Sequence, residues 1–381
     1  MSDSSSAQAT AAMPVDERLR SVGTVRSLLA RPEFGAIAGT LLILALFVLS
    51  AGDSGMFNAE GVINWGTVAA YLGVIAVGAA LLMIAGEFDL SVGSMIGFAG
   101  MMLAIPILQW GWPPTTAVVF AFACAMLLGA LNGWIVIKTG LPSFIVTLAF
   151  FFILRGLSLA IAVLLTGKTI LSSNGDVVLR EAMQADPVVA ALFVGHVFTG
   201  LFDALASAGW MAARDDGTAL AIGVPKVVMW WLVLTAVGAF TLARTRLGNW
   251  ILAVGGDANA AKNVGIPVGT VKVSLFMLTA FCATLFAVLQ VADAGSAAAD
   301  RGLQKEFEAI IVAVIGGCLL TGGYGSVIGA AFGALIFGMV QIGIGYTSID
   351  NNWYRVFLGG MLLVAVLFNN YIRSRYALGK R

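Results

Sequence analysis

Charge is what this chain has least of. Only 11% of its 381 residues are Asp, Glu, Lys or Arg, where a water-soluble domain carries roughly 25%. It has one histidine, His196, and three cysteines. That is too small a stock of ligands for a zinc centre. Cys124, Cys282 and Cys318 all fall inside apolar runs, which points to packing rather than to disulfides. A phosphate-cradling loop, two glycines five apart followed by Lys and Ser/Thr, is missing too. The nearest string, Thr166-Gly167-Lys168-Thr169, has Ala162 where the first glycine belongs. Nothing calls for a cofactor, and any ATP hydrolysis linked to this chain falls to another subunit. The net charge of +1 gives no electrostatic footing for nucleic acid.

What is present is apolar: 60% of the residues are hydrophobic. They are gathered into runs of about twenty, the length a helix needs to cross ~30 Å of hydrocarbon. Ten runs are expected to span, at 34–51, 62–85, 89–109, 115–137, 143–165, 226–243, 271–292, 307–320, 326–346 and 353–371. They are long and lack the ten-residue alternation of barrel strands. The fold class is therefore all-α, a polytopic protein in contact with membrane lipid, with some Gly-rich or broken helices. Its spanning domain covers 34–371, between a polar, disordered tail at 1–33 and a basic tail at 372–381.

Orientation follows from Lys and Arg. With a cytoplasmic N-terminus, thirteen of the 21 basic residues face inward: Arg18, Arg20, Arg26, Arg31, Lys138, Arg244, Arg246, Lys262, Lys272, Arg373, Arg375, Lys380 and Arg381. An even number of spans returns the C-terminus to the same side. The segment 188–210 is apolar enough to threaten that count. It sits in an insertion, about 170–225, and is expected to form helices on the outer surface.

Three polar islands interrupt the apolar background. The first is Gly86-Glu87-Phe88-Asp89-Leu90-Ser91-Val92-Gly93-Ser94. Carboxylates at the edge of hydrocarbon are costly unless they meet water, cations or helix N-termini. Asp89 or Ser91 can cap the next helix; equally, the island can line a solute path. The second spans 244–268: Asp257 reads as an N-cap, Ala258 to Val264 as a two-turn helix, Gly265 as its left-handed end and Pro267 as its stop. Such a helix is either an interfacial loop or a knob for a partner's groove. The third runs from Phe307 to Gly333, with Glu306 and Glu308 at its start and a Gly-rich middle. Gly-Ser-x-Ile-Gly occurs at 93–97 and again at 325–329, and Gly329-x-x-x-Gly333 has close-packing spacing. Gly93, Gly97, Gly325, Gly329 and Gly333 are thus expected at helix contacts.

In this order, the islands resemble the permease subunits of bacterial sugar-importing ABC transporters of the ribose/xylose/galactose type. The resemblance rests on Gly-x-x-Asp-Leu-Ser-Val-Gly at 86–93 and Leu-Pro-Ser-Phe-Ile-Val-Thr-Leu at 141–148, with Arg155-Gly156 following. It also rests on Leu-Gly…Ala-x-Gly-Gly…Ala-Ala…Gly-Ile at 247–266 and Ile-Gly-Gly-x-x-Leu-x-Gly-Gly-x-Gly-Ser at 315–326. It implies a homodimer in the inner membrane, docked on a cytoplasmic ABC ATPase and supplied by a periplasmic sugar-binding protein. It further implies that Asp257, Asn259, Ala260, Ala261, Asn263 and Gly265 form the ATPase-coupling contact. Two features depart from the pattern: Glu87 stands where many members have Gly, and the 170–225 insertion is long. A path for sugar hydroxyls needs hydrogen-bonding groups, and Glu87, Asp89, Ser91, Ser94, Ser143, Thr147 and Gln290 are the candidates, with Phe150 to Phe152 as apolar wall.

Three other functions fit parts of the pattern. An importer of branched-chain amino acids or nucleosides shares the layout. A membrane enzyme would use His196 with Asp203. An ion-coupled transporter would use Glu87 and Asp89.

Overall fold

The computed structural model describes residues 32–347 and 349–377. The expected polar tail lies outside them except for Pro32 and Glu33, which open the first helix. At the other end the last helix continues to Ala377, and residues 378–381 lie outside.

Eight helices are long and apolar enough to cross a membrane. They are α1 (Pro32–Ala51), α2 (Ala59–Ile84), α3 (Val92–Trp110), α4 (Pro114–Thr139), α5 (Ser143–Thr166), α9 (Lys226–Arg244), α12 (Val268–Ala294) and α14 (Val327–Gly343). Two shorter pieces complete the ten expected segments. The last helix, α15 (Tyr354–Ala377), carries an apolar stretch over Tyr354–Leu367, and α13 (Lys305–Ile315) has eleven residues. The span expected at 307–320 is therefore half a span. Gly316 and Gly317 end its helix, and residues 295–304 before it are almost wholly non-helical.

The segment 188–210 does not cross. It forms α7 (Pro187–Phe193) and α8 (Thr199–Ser207). A helix of seven or nine residues rises only ~10–14 Å. With α6 (Leu179–Ala185) and three two-stranded β-ribbons they make a cap over one end of the bundle. Ile170–Leu171 pairs with Ala297–Ala298, tying the cap to the chain beyond α12. Asp186 caps α7 through Val188 and Val189 and also accepts bonds from the Thr115 amide (2.9 Å) and hydroxyl (2.7 Å) on α4. Burial alone would raise this carboxyl, but the bonds from Thr115, Val188 and Val189 outweigh it and hold it below the usual Asp value.

The helices divide into inner and outer sets. α2, α3, α12 and most of α14 are enclosed, and α3 is covered over nearly its whole length. Around them, α1, α5 and α9 expose large apolar side chains such as Leu42, Leu49, Phe152, Leu164, Leu232 and Phe240. An apolar belt of this extent belongs against lipid. The core holds Leu72, Ile75, Met95, Met101, Leu103, Phe276 and Phe337, all close-packed.

Candidate functional site

The first polar island folds into a buried junction of four helices. After α2 the chain turns at Gly86 and re-enters the bundle before α3 begins. Asp89 is buried; its Oδ1 accepts from the Ser91 amide (2.9 Å) and hydroxyl (2.5 Å), and its Oδ2 from Thr279 Oγ1 of α12 (2.5 Å). Asn132 Nδ2 of α4 donates to Ser91 Oγ at 3.0 Å. From α5, Ser143 Oγ accepts from the Phe88 amide (3.0 Å) and Thr147 Oγ1 from the Leu90 amide (3.1 Å). Glu87 pairs with Lys272 at the start of α12. The loop's freed backbone groups are thus satisfied by side chains, as a non-helical segment inside a membrane requires. The carboxylate of Asp89, rather than the Ser91 hydroxyl, receives the free amide ahead of α3; Ser91 makes no side-chain cap.

The duplicated Gly-Ser-x-Ile-Gly strings hold opposite ends of α13. A Cβ on Gly93 would stand 1.8 Å from Glu306 Oε2 and 2.6 Å from the Gly302 carbonyl, and one on Gly97 would stand 2.2 Å from the Ala299 carbonyl. At the other end, Gly329 meets the Gly316 carbonyl at 2.0 Å and Gly333 the Val312 carbonyl at 2.2 Å by the same measure. Gly325 fits against Cys318 and Ile84. The half-helix is clasped between α3 and α14 where only backbone fits.

The second island forms α10 (Arg246–Gly256) and α11 (Ala258–Asn263). Asp257 Oδ1 accepts from the Asn259 and Ala260 amides at 2.9 and 3.0 Å, Gly265 has φ +86°, and Pro267 precedes α12. Asp257, Asn259, Ala260, Asn263 and Gly265 are exposed, whereas Ala261 is buried and anchors the helix. Val264 is 77% exposed, an apolar tip that the polar pattern around it concealed. Just before α11, three backbones meet. A Cβ on Gly255 would stand 1.7 Å from the Ile84 carbonyl and 2.6 Å from the Gly323 amide. Those two groups are themselves bonded at 2.8 Å. Gly86 and Gly322 touch at the same place.

Residues 61–366 match the family model described as the permease component of the branched-chain amino acid transport system. The chain belongs to this permease family. The xylose transport system permease of Escherichia coli strain K12 is 30% identical over 373 residues, covering 90% of this chain and 92% of that protein. The ribose import permease of the same organism is 28% identical, with 86% and 91% covered. The fructose import permease of Rhizobium meliloti is also 28% identical, with 80% and 76% covered. No solved structure matches. Family and relatives bear out the resemblance to sugar-type ABC permeases, and the family is one of transporters rather than enzymes.

Within this permease, the solute-path candidates separate into two groups. Asp89, Ser91, Ser143, Thr147 and Glu87 are engaged in the junction. Ser94 is buried with no partner for its Oγ among the described residues. Gln290 lines a narrow crevice with Ile96, Gly100, Ala297 and Arg301. Lys272 was read from the sequence only as one of the inward-facing cations, and Asn132 and Thr279 were not singled out. A signal for each was there: Lys272 and Thr279 are seven residues apart, on one face of α12, and Asn132 is a lone amide inside an apolar span. His196 sits exposed on a two-residue strand, and Asp203 Oδ1 accepts from the Ala219 amide at 2.9 Å.

Proposed function

We propose that this chain is the membrane-spanning subunit of an ABC importer that passes a monosaccharide or related polyol across a bacterial inner membrane. A separate cytoplasmic ATPase drives it, a periplasmic binding protein delivers the solute, and two copies form the pathway. The observation that carries the reading is α11. It is short, doubly capped and solvent-facing, and it is seated on the Gly255–Ile84–Gly323 contact rather than on a flexible loop. Force applied to Asn259, Ala260, Asn263 and Val264 reaches α2 and the turn after α13 through backbone alone. In this reading both termini and α11 are cytoplasmic, in keeping with the placement of Lys and Arg, and the 170–225 cap is periplasmic. The names of the xylose, ribose and fructose relatives favour a sugar over an amino acid.

The test is ATP-dependent uptake in cells carrying the whole transporter. Asp257→Arg removes the cap at the first turn, and Gly265→Trp forces a bulky residue into a left-handed backbone. Both variants are expected to insert normally and to lose uptake at least tenfold. Wild-type uptake in both variants contradicts the docking role of α11.

A further inference from the structure

Glu306 is 2% exposed, and its Oε2 has no hydrogen-bond partner among the described residues. A buried carboxylate oxygen is costly to leave unpaired, and inside a membrane an ionisable side chain marks function by default. Its position sharpens the point. α13 rises only ~16 Å from the Gly316 turn, and that turn lies against the ends of α2 and α10. Glu306, in the first turn, therefore stands near the middle of the bilayer. The chain reaches it through the non-helical segment 295–304, whose last residue, Gln304, holds a left-handed backbone (φ +67°). Arg301 and Gln304 expose polar side chains there, a face that lipid tails cannot satisfy. The charged groups around Glu306 are Arg155 of α5 and the Lys305–Glu308 ion pair of its own helix, and Gln290 faces the segment before α13 across the crevice beside Arg301.

We propose, resting on the importer reading above, that the break before α13 is the mid-membrane contact point for the solute, with Glu306 accepting hydrogen bonds from solute hydroxyls. Arg301 and Gln304, exposed on the segment leading into α13, and Arg155 on α5 supply further planar, bidentate-capable groups. Planar groups with paired donors or acceptors match adjacent hydroxyls on a sugar ring. The few polar groups sit among apolar walls, the usual make-up of a small-molecule site. In this conformation the carboxylate is shut against Gly93. Solute reaches it when the segment 299–306 parts from α3, a contact in which the backbones of Gly93 and Gly97 meet those of Gly302 and Ala299, with the Ile96 side chain packed at Gly302. This state is the closed one.

A site built to bond a hydroxyl discriminates against an analogue lacking it. The test compares uptake of D-ribose, D-xylose and 2-deoxy-D-ribose by the whole transporter in cells, with insertion checked by blotting. Glu306→Gln is expected to insert, to lower uptake of the preferred sugar about tenfold and to narrow its lead over the deoxysugar. Uptake and discrimination both at wild-type level overturn the proposal. If Glu306→Gln fails to insert, Gln304→Gly decides, since glycine keeps the left-handed turn and removes only the amide. A narrowed lead supports the site, and an unchanged lead overturns it. If the wild-type transporter takes up none of the three, the same comparison is run with its own sugar, found by ATP-dependent uptake from a panel of monosaccharides and polyols, against that sugar's deoxy analogue. A transporter that takes up nothing from the panel under ATP defeats the importer reading itself, and the inference with it.

Discussion

Thr279 and Thr284 lie on the same helix, are equally buried and do different work. Thr284 Oγ1 bonds only the Ala280 carbonyl of its own helix at 2.8 Å. Thr279 reaches Asp89 on another element. Removing the Thr279 hydroxyl leaves one carboxylate oxygen buried and unpaired, which costs about 1–2 kcal/mol. Thr279→Val is therefore expected to lower the thermal midpoint of the detergent-solubilised protein by several degrees, and Thr284→Val to leave it within one or two. Equal midpoints for the two variants would remove the junction from the account. The same logic bears on ion coupling. Glu87 and Asp89, the two carboxylates that suggested it, are held by Lys272 and by Ser91 with Thr279, so neither is a free ion ligand in this conformation.

At the scale of elements, contacts between glycines decide how the helices meet. Gly255 and Gly256 are adjacent in α10, yet a Cβ on Gly256 meets nothing within 4 Å, while one on Gly255 collides with the Ile84 carbonyl and the Gly323 amide. Gly255→Ala is expected to reduce ATP-dependent uptake at least tenfold and Gly256→Ala to leave it near wild type. Comparable uptake in both would show that the three-backbone contact transmits nothing. The sequence made part of this legible. The capped helix Ala258–Asn263 could be read from Asp257, Gly265 and Pro267, because a cap and its stop are local chemistry. The half-helix could not. Residues 307–320 have the hydropathy of a span, and what shortens them is how Gly316 packs on Gly329, a contact between segments that no local pattern records. The junction was legible in its own loop and in Ser143 and Thr147, but not in Asn132, Lys272 and Thr279, which come from other helices and make their contacts only through the fold.

Across the whole molecule, an enclosed set of four helices is surrounded by apolar helices that face lipid, with a cap at one end and α11 at the other. Between α12 and α14 the chain is helical only over Lys305–Ile315. This arrangement places a breakable contact, α13 against α3, between the two ends. The glycine junction next to α11 lies one helix length from that contact. If the chain is the importer proposed above, α11 faces the ATP-containing compartment and the cap faces the opposite one. The most direct test plants a single cysteine at Asn259, in a chain whose half-buried Cys124 has been replaced by Ala, and adds a membrane-impermeant thiol reagent. Modification is expected in inside-out vesicles and none in intact cells; labelling in intact cells would put α11 on the wrong side of the membrane.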